Sequence, residues 1–202
     1  MRRILPFLMM FAFAAATFAQ QAEPTSSAKP SAKLFASSQQ SADMKKMVDS
    51  FAGLWKTTIH AYKGEWFPAE GTTRGRADIK AGPAGNSITE QFRSLGPLGN
   101  FAGHGVYWYD KNAGGYLGVW CDSMDPNGCG RVGKGNWEGD DLVFNNEIDM
   151  GPTKMHIRET YSRITKESYD FMIEAATGDT PLKKMMSIHY QRSTGKSADG
   201  SQ

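Results

Sequence analysis

Residues 103–137 read GHGVYWYDKNAGGYLGVWCDSMDPNGCGRVGKGNW, and this stretch decides the fold class. Two extended runs, 105–110 and 116–122, flank the turn sequence Lys111-Asn112-Ala113-Gly114-Gly115. A third run, 129–137, follows Met124-Asp125-Pro126-Asn127-Gly128. Aromatic and β-branched residues suit a pleated surface, while Gly, Asn, Asp and Pro supply turn backbone, so their alternation predicts a β-meander.

The same pattern extends in both directions. Upstream, Gly53-Leu54-Trp55 opens a strand whose alternate residues Trp55, Thr57 and Ile59 share a face, and further strands are expected at 72–80 and 87–94. Downstream, runs at 142–149, 153–164, 168–175 and 182–192 are separated by polar turns. About ten strands result, with no room between them for crossover helices, so the pairing is antiparallel. Ahead of the first strand, Met44, Met47, Val48 and Phe51 fall at helical spacing, with Ser41 or Asp43 as cap, and predict a short amphipathic helix lying as a lid over a core.

Alternation also assigns faces. Met155, Ile157, Glu159 and Tyr161 share one, as do Tyr169, Phe171 and Ile173, and Met186, Ile188, Tyr190 and Arg192. A long up-and-down sheet with one apolar face removes its exposed edges best by closing on itself. The expected fold is therefore an all-β, antiparallel up-and-down barrel, favoured over a two-sheet sandwich.

The N-terminus reads as an export signal over 1–19: Arg2 and Arg3, an apolar run from Ile4 to Phe18, and small Ala19 before Gln20. The apolar run is too short for a stable membrane span. Residues 20–43 read as a disordered linker rich in Ser, Ala, Gln, Lys and Pro, 44–193 as the barrel domain, and 194–202 as a loose tail. Removal of the signal takes 23 basic residues to 21 against 21 acidic ones, which leaves no basic footprint for nucleic acid. Cys121 and Cys129 bracket a turn-rich loop, and in an oxidising compartment a local disulfide is the first reading, ahead of free thiols or a metal site.

Two sets of residues carry a resemblance. Gly53-Leu54-Trp55 with a terminal Tyr190-Gln191-Arg192 resembles the calycin pattern of lipocalins and fatty-acid-binding proteins, in which such a Trp packs against an Arg of the last strand. Residues 105–110 (GVYWYD), Tyr116, Trp120 to Ser123, residues 135–144 (GNWEGDDLVF), Arg158 and Tyr190-x-Arg192 resemble the bacterial domain-of-unknown-function family fifteen seventy-nine over 44–193. The resemblance implies a lipocalin-like barrel and names no reaction or ligand. In the related nitrobindin barrels a histidine ligates haem, which keeps a haem-binding alternative open.

Candidate chemistry is sparse. Gly128-Cys129-Gly130-Arg131-Val132-Gly133 matches a dinucleotide fingerprint in spacing but continues as a strand rather than a helix. Asp122, Asp125 and Asn127 offer oxygens without the closing Glu of a calcium loop. His60, His104, His156 and His189 are scattered, with no nucleophile beside them. No catalytic or metal-ligating set is assigned, and no cofactor. The sharper feature is charge on the presumed inner face, Glu159 and Arg192, with Arg163 as a further candidate, because an unpaired buried charge is costly. In a structural reading Arg192 stacks on Trp55 to close the barrel while Glu159 pairs with Arg or tyrosine hydroxyls. In a binding reading Glu159, Tyr161 and Tyr190 orient the polar head of a small apolar or amphipathic ligand, and Phe92, Trp108, Trp120, Phe171 and Ile188 bury its body. A filled, purely structural barrel and an enzyme with Glu159 beside a His or Tyr are the other classes.

Overall fold

The computed structural model describes residues 40–126 and 128–194. The expected signal segment at 1–19, the linker through residue 39, Asn127 and the tail from residue 195 lie outside the described residues. One helix, α1 (Ala42–Phe51), is followed by ten strands: β1 (Gly53–Ala61), β2 (Gly71–Ala81), β3 (Ile88–Leu95), β4 (Phe101–Asp110) and β5 (Gly115–Asp122), then β6 (Cys129–Glu138), β7 (Asp141–Met150), β8 (Thr153–Ser162), β9 (Ser168–Thr177) and β10 (Lys183–Arg192). Each strand pairs antiparallel with its sequence neighbour, and β1 pairs with β10, so the sheet is a closed barrel. All-β closure with a short N-terminal helix is thus the architecture of the chain.

The helix begins two residues inside the segment read as linker. Ser41 is its cap, its hydroxyl accepting from the Met44 amide at 3.1 Å, which satisfies one of the first-turn donors. Met44, Met47 and Phe51 face the barrel and are buried, so α1 plugs one end of it. Polar groups fasten the plug: Tyr116 Oη donates to the Asp43 carbonyl at 2.9 Å, Trp137 Nε1 donates to Tyr116 Oη at 3.0 Å, and Trp55 Nε1 donates to the Phe51 carbonyl at 2.8 Å. The Phe51 ring also meets Trp137, Tyr161 and Tyr169. Strand β8 stops at Ser162, short of the expected 164, because Arg163 turns the chain with φ 52°. That turn also corrects the placing of Arg163: its side chain is 80 % exposed and pairs with Asp170 outside the barrel.

Antiparallel order puts the loops β1–β2, β3–β4, β5–β6, β7–β8 and β9–β10 at the far end from α1. There Cys121 and Cys129, opposed on β5 and β6 with Cα atoms 3.9 Å apart, form a disulfide. The intervening turn is held by Asp122, whose Oδ1 accepts from the Met124 and Asp125 amides at 2.7 and 2.9 Å while Oδ2 accepts from Trp120 Nε1 at 3.1 Å.

The seam between first and last strands carries a specific lock. Trp55 stands opposite Arg192, whose guanidinium lies 4.1 Å from the Trp55 ring centroid. Nη1 of Arg192 donates to the Ala52 carbonyl at 3.1 Å, and Nε donates to the Lys166 carbonyl. Gly53 makes room for this group: at φ 149°, a Cβ there would come within 2.1 Å of Arg192 Nη1. Replacing Arg192 by Ala removes a cation–π contact and two charge-assisted hydrogen bonds, an expected loss of about 2–3 kcal/mol. Thermal unfolding of the Arg192→Ala protein is expected roughly 5–10 °C below the parent. Arg192→Lys should recover only part of that, since an ammonium cannot stack and fork together.

Candidate ligand site inside the barrel

Strand parity builds the interior. On β3, Ile88, Glu90, Phe92 and Ser94 are buried while Gln91, Arg93 and Leu95 are exposed, so the inner face of this strand carries a carboxyl among apolar groups. β8 contributes Met155, Ile157, Glu159 and Tyr161 to the same interior, and β9 and β10 contribute Tyr169, Phe171 and Ile173, with Ile188 and Tyr190, opposed in register. On the β4–β5 side Gly103, Gly105 and Gly118 take inner positions, and large rings lie against them. Trp120 covers Gly103 and Gly105, Tyr107 covers Gly118, and Phe144 covers Gly135 on β6. A methyl group at Gly103 or Gly118 would come within 2.5 Å of these rings, so the glycines are what allow them to pack against the wall.

Two carboxyls and four phenols occupy the middle of this interior. Tyr190 Oη donates to Glu90 Oε1 at 3.4 Å, and Tyr169 stacks on Tyr190 with centroids 4.2 Å apart. Tyr161 packs on Phe171 with centroids 4.7 Å apart. Burial pushes the Glu90 carboxyl up to about 7, with the Tyr190 hydrogen bond pulling it down and the Glu159 charge pushing it further up. Burial alone pushes Glu159 up to about 7. The hydroxyls of Tyr107, Tyr161, Tyr169 and Tyr190 are likewise held well above the ordinary phenol range, by burial first and by the neighbouring carboxyls and phenols next.

The polar inventory does not close on itself. Thr57 Oγ1 and Tyr169 Oη are buried without a hydrogen-bond partner, and among the described residues no hydrogen bond reaches Glu159. Glu159, Ile157, Tyr161, Ile173 and Met186 all stand on inner positions of neighbouring strands yet keep partial exposure. Solvent therefore reaches part of the β8–β9–β10 side chains. Glu159 is also not neutralised by Arg192, which is committed to Trp55 and two carbonyls at the helix end, so the pairing expected in the structural reading is absent.

Of the side chains named from sequence, Phe92, Glu159, Tyr161, Phe171, Ile188 and Tyr190 stand on inner positions, and Trp120 lies along the inner wall. Trp108 does not. It sits opposite Leu117 on the outer face, and its neighbour Tyr107 takes the inner position against Gly118. His60, His156 and His189 pair on the outer face with Glu70, Glu147 and Asp170, and His104 is exposed opposite Gln91, so the haem alternative finds no inward imidazole to ligate iron. Sequence reasoning missed Glu90, Tyr107, Tyr169 and Thr57 as site residues. The alternation Ile88, Glu90, Phe92 carried the signal for Glu90.

The two raised carboxyls tie stability to pH. Each ionises near 4.5 when unfolded and near 7 in the barrel, so between these values the folded state holds more protons than the unfolded one. Their contribution is full below about pH 4.5 and is lost as pH rises through about 7. Thermal melts of a Glu90→Gln, Glu159→Gln double variant should therefore fall less than the parent's between these two pH values; equal slopes would contradict the burial of the pair.

Rv2717c from M. tuberculosis superposes on the barrel with TM-score 0.50 and 11% identity, over 77% of this chain and 99% of that one. A de novo designed fluorescence-activating β-barrel superposes with TM-score 0.37 and 13% identity, over 71% of this chain and 94% of the design. At 11% identity the likeness to Rv2717c speaks to fold alone. Among curated proteins none matches this chain. Residues 40–192 match the family described as protein of unknown function, DUF1579, and the chain, three quarters of which is spanned by that match, belongs to this family.

Proposed function

We propose that this protein is an exported binding protein that holds a small amphipathic ligand inside its barrel. The polar head sits among Glu90, Glu159, Thr57 and Tyr169, and the apolar body lies against Phe92, Trp120, Phe171, Ile173 and Ile188. The observation that carries this reading is the pair of buried hydroxyls without a partner, Thr57 Oγ1 and Tyr169 Oη, on an inner face that also holds the partly exposed Glu159 carboxyl. A barrel serving only as a scaffold gains nothing from them, because each buried polar atom without a partner costs on the order of 1–3 kcal/mol. A ligand that supplies the missing hydrogen bonds recovers that cost on binding. Small barrels either fill with side chains or enclose one small molecule, and unsatisfied groups on the inner face favour the second.

Export is supported by the charged and then apolar leader at the N-terminus and by the Cys121–Cys129 disulfide. Among the described residues no helix is long and apolar enough to cross a membrane.

Native mass spectrometry of the protein taken from its own cells is expected to show a population heavier than the polypeptide by one small molecule, released on denaturation. Spectra that consistently give the bare mass would remove the carrier reading. The same preparation tests export. Its first residue should be Gln20, and the unfolded, unreduced chain should contain no reactive thiol; an intact Met1 with two free thiols would place the protein in a reducing compartment.

A further inference from the structure

The charge of the interior is one-sided. Glu90 on β3 and Glu159 on β8 both face the lumen and are near enough for the charge of one to raise the proton affinity of the other. Among the described residues the inner register positions carry two cations, both at the ends of the barrel: Lys183, exposed at the far rim opposite Ala175, and Arg192, committed at the helix end to Trp55 and the Ala52 and Lys166 carbonyls. Tyr107, Tyr161 and Tyr190 stand around the carboxyls, with the Tyr190 hydroxyl on Glu90, and Phe171 lies against Tyr161.

A site so furnished repels an anionic head. A carboxylate, sulfate or phosphate at mid-barrel would meet two acids of like sign, with the inner cations held at the two ends. A protonated amine meets the opposite situation: a carboxylate for charge-assisted hydrogen bonds, a hydroxyl acceptor in Thr57 or Tyr169, and aromatic rings for cation–π contact. A cation also removes the repulsion between Glu90 and Glu159. Building on the carrier reading above, we propose that the ligand is a cationic amphiphile, an amine-bearing molecule whose ammonium head sits between Glu90 and Glu159 and whose apolar tail points along β8–β10 towards the far end.

The groups facing this head from every side set a pH dependence. They are Glu90 from β3, Glu159 and Tyr161 from β8, Tyr107 from β4, and Tyr169 and Tyr190 from β9 and β10. Tyr116 is bound to Asp43 and Trp137 at the helix end, and Asp122 to Trp120 and its own turn at the far end. The phenols stay neutral, so only the two carboxyls change charge near neutrality, and an amine of ordinary basicity stays protonated throughout. Ammonium binding therefore strengthens as pH rises through the carboxyl titration and expels a proton where the carboxyls are still protonated.

Isothermal titration calorimetry on the full chain with decylamine, decanol and decanoate, three probes with one tail and three heads, tests this. At about pH 8 decylamine is expected to bind about tenfold or more tighter than decanol, with decanoate weakest. Decylamine affinity should fall about tenfold between about pH 8 and about pH 5, while decanol affinity stays level. Glu159→Gln should weaken decylamine about fivefold or more and leave decanol within about twofold. If decanol or decanoate binds as tightly as decylamine, the amine assignment is wrong while the carrier reading stands. If none of the three binds and the intrinsic tryptophan fluorescence does not respond, both fall together. The comparison of probes on the parent protein decides the matter even where a Gln variant does not fold.

Discussion

The barrel depends on the contact in which the Arg192 guanidinium lies on Trp55. A meander brings each strand beside the next through short turns, so nine of its pairings are local, and only the pairing of β1 with β10 spans the whole domain. That pairing carries the largest loop-closure cost and receives the most specific reinforcement. Arg192 faces an indole, donates to carbonyls on both sides of the seam, and leaves so little space that the residue before Leu54 must lack a side chain. The lock stands at one end of a seven-pair β1–β10 ladder and adds side-chain contacts to its backbone pairing.

Enclosure changes what the polar residues inside mean. On an open sheet Glu90 and Glu159 would be hydrated, ordinary acids. In a closed barrel burial raises the proton affinity of both to the neutral range, and the Glu159 charge adds to the rise at Glu90. The chain tolerates this cost at mid-barrel while the helix end is packed with Trp55, Phe51, Tyr116, Leu142 and Met44. Apolar and polar groups are thus divided along the barrel axis: rings and aliphatic groups fill the plugged half, and the middle keeps acids and phenols.

Much of this was legible in the residues because a strand has a period of two. Turn residues separated the runs, alternation put Glu159, Tyr161 and Tyr190 on the apolar face, and helical spacing identified Met44, Met47 and Phe51 as a lid. Alternation failed where the contrast between faces vanished. Tyr107, Trp108 and Tyr109 are aromatic in succession, so polarity cannot say which points inward; the choice is made by Gly118 across the β4–β5 ladder, which leaves room for Tyr107. Glu90 was overlooked because Thr89, Gln91 and Arg93 make the whole run look polar. Unsatisfied atoms such as Thr57 Oγ1 cannot be read from sequence at all, since a missing partner is a property of three-dimensional surroundings.

The plug and the wall are one piece of chain. Only Ala52 separates the last residue of α1 from the first of β1, and the Ala52 carbonyl is itself held by Arg192. The helix consequently has no hinge on which to swing: drawing it out would pull on the strand that seals the cylinder. The domain is a cup with a fused base rather than a tube with a door at each end. The end that carries the Cys121–Cys129 disulfide has no such helix across it, so the two ends of the cylinder are built differently.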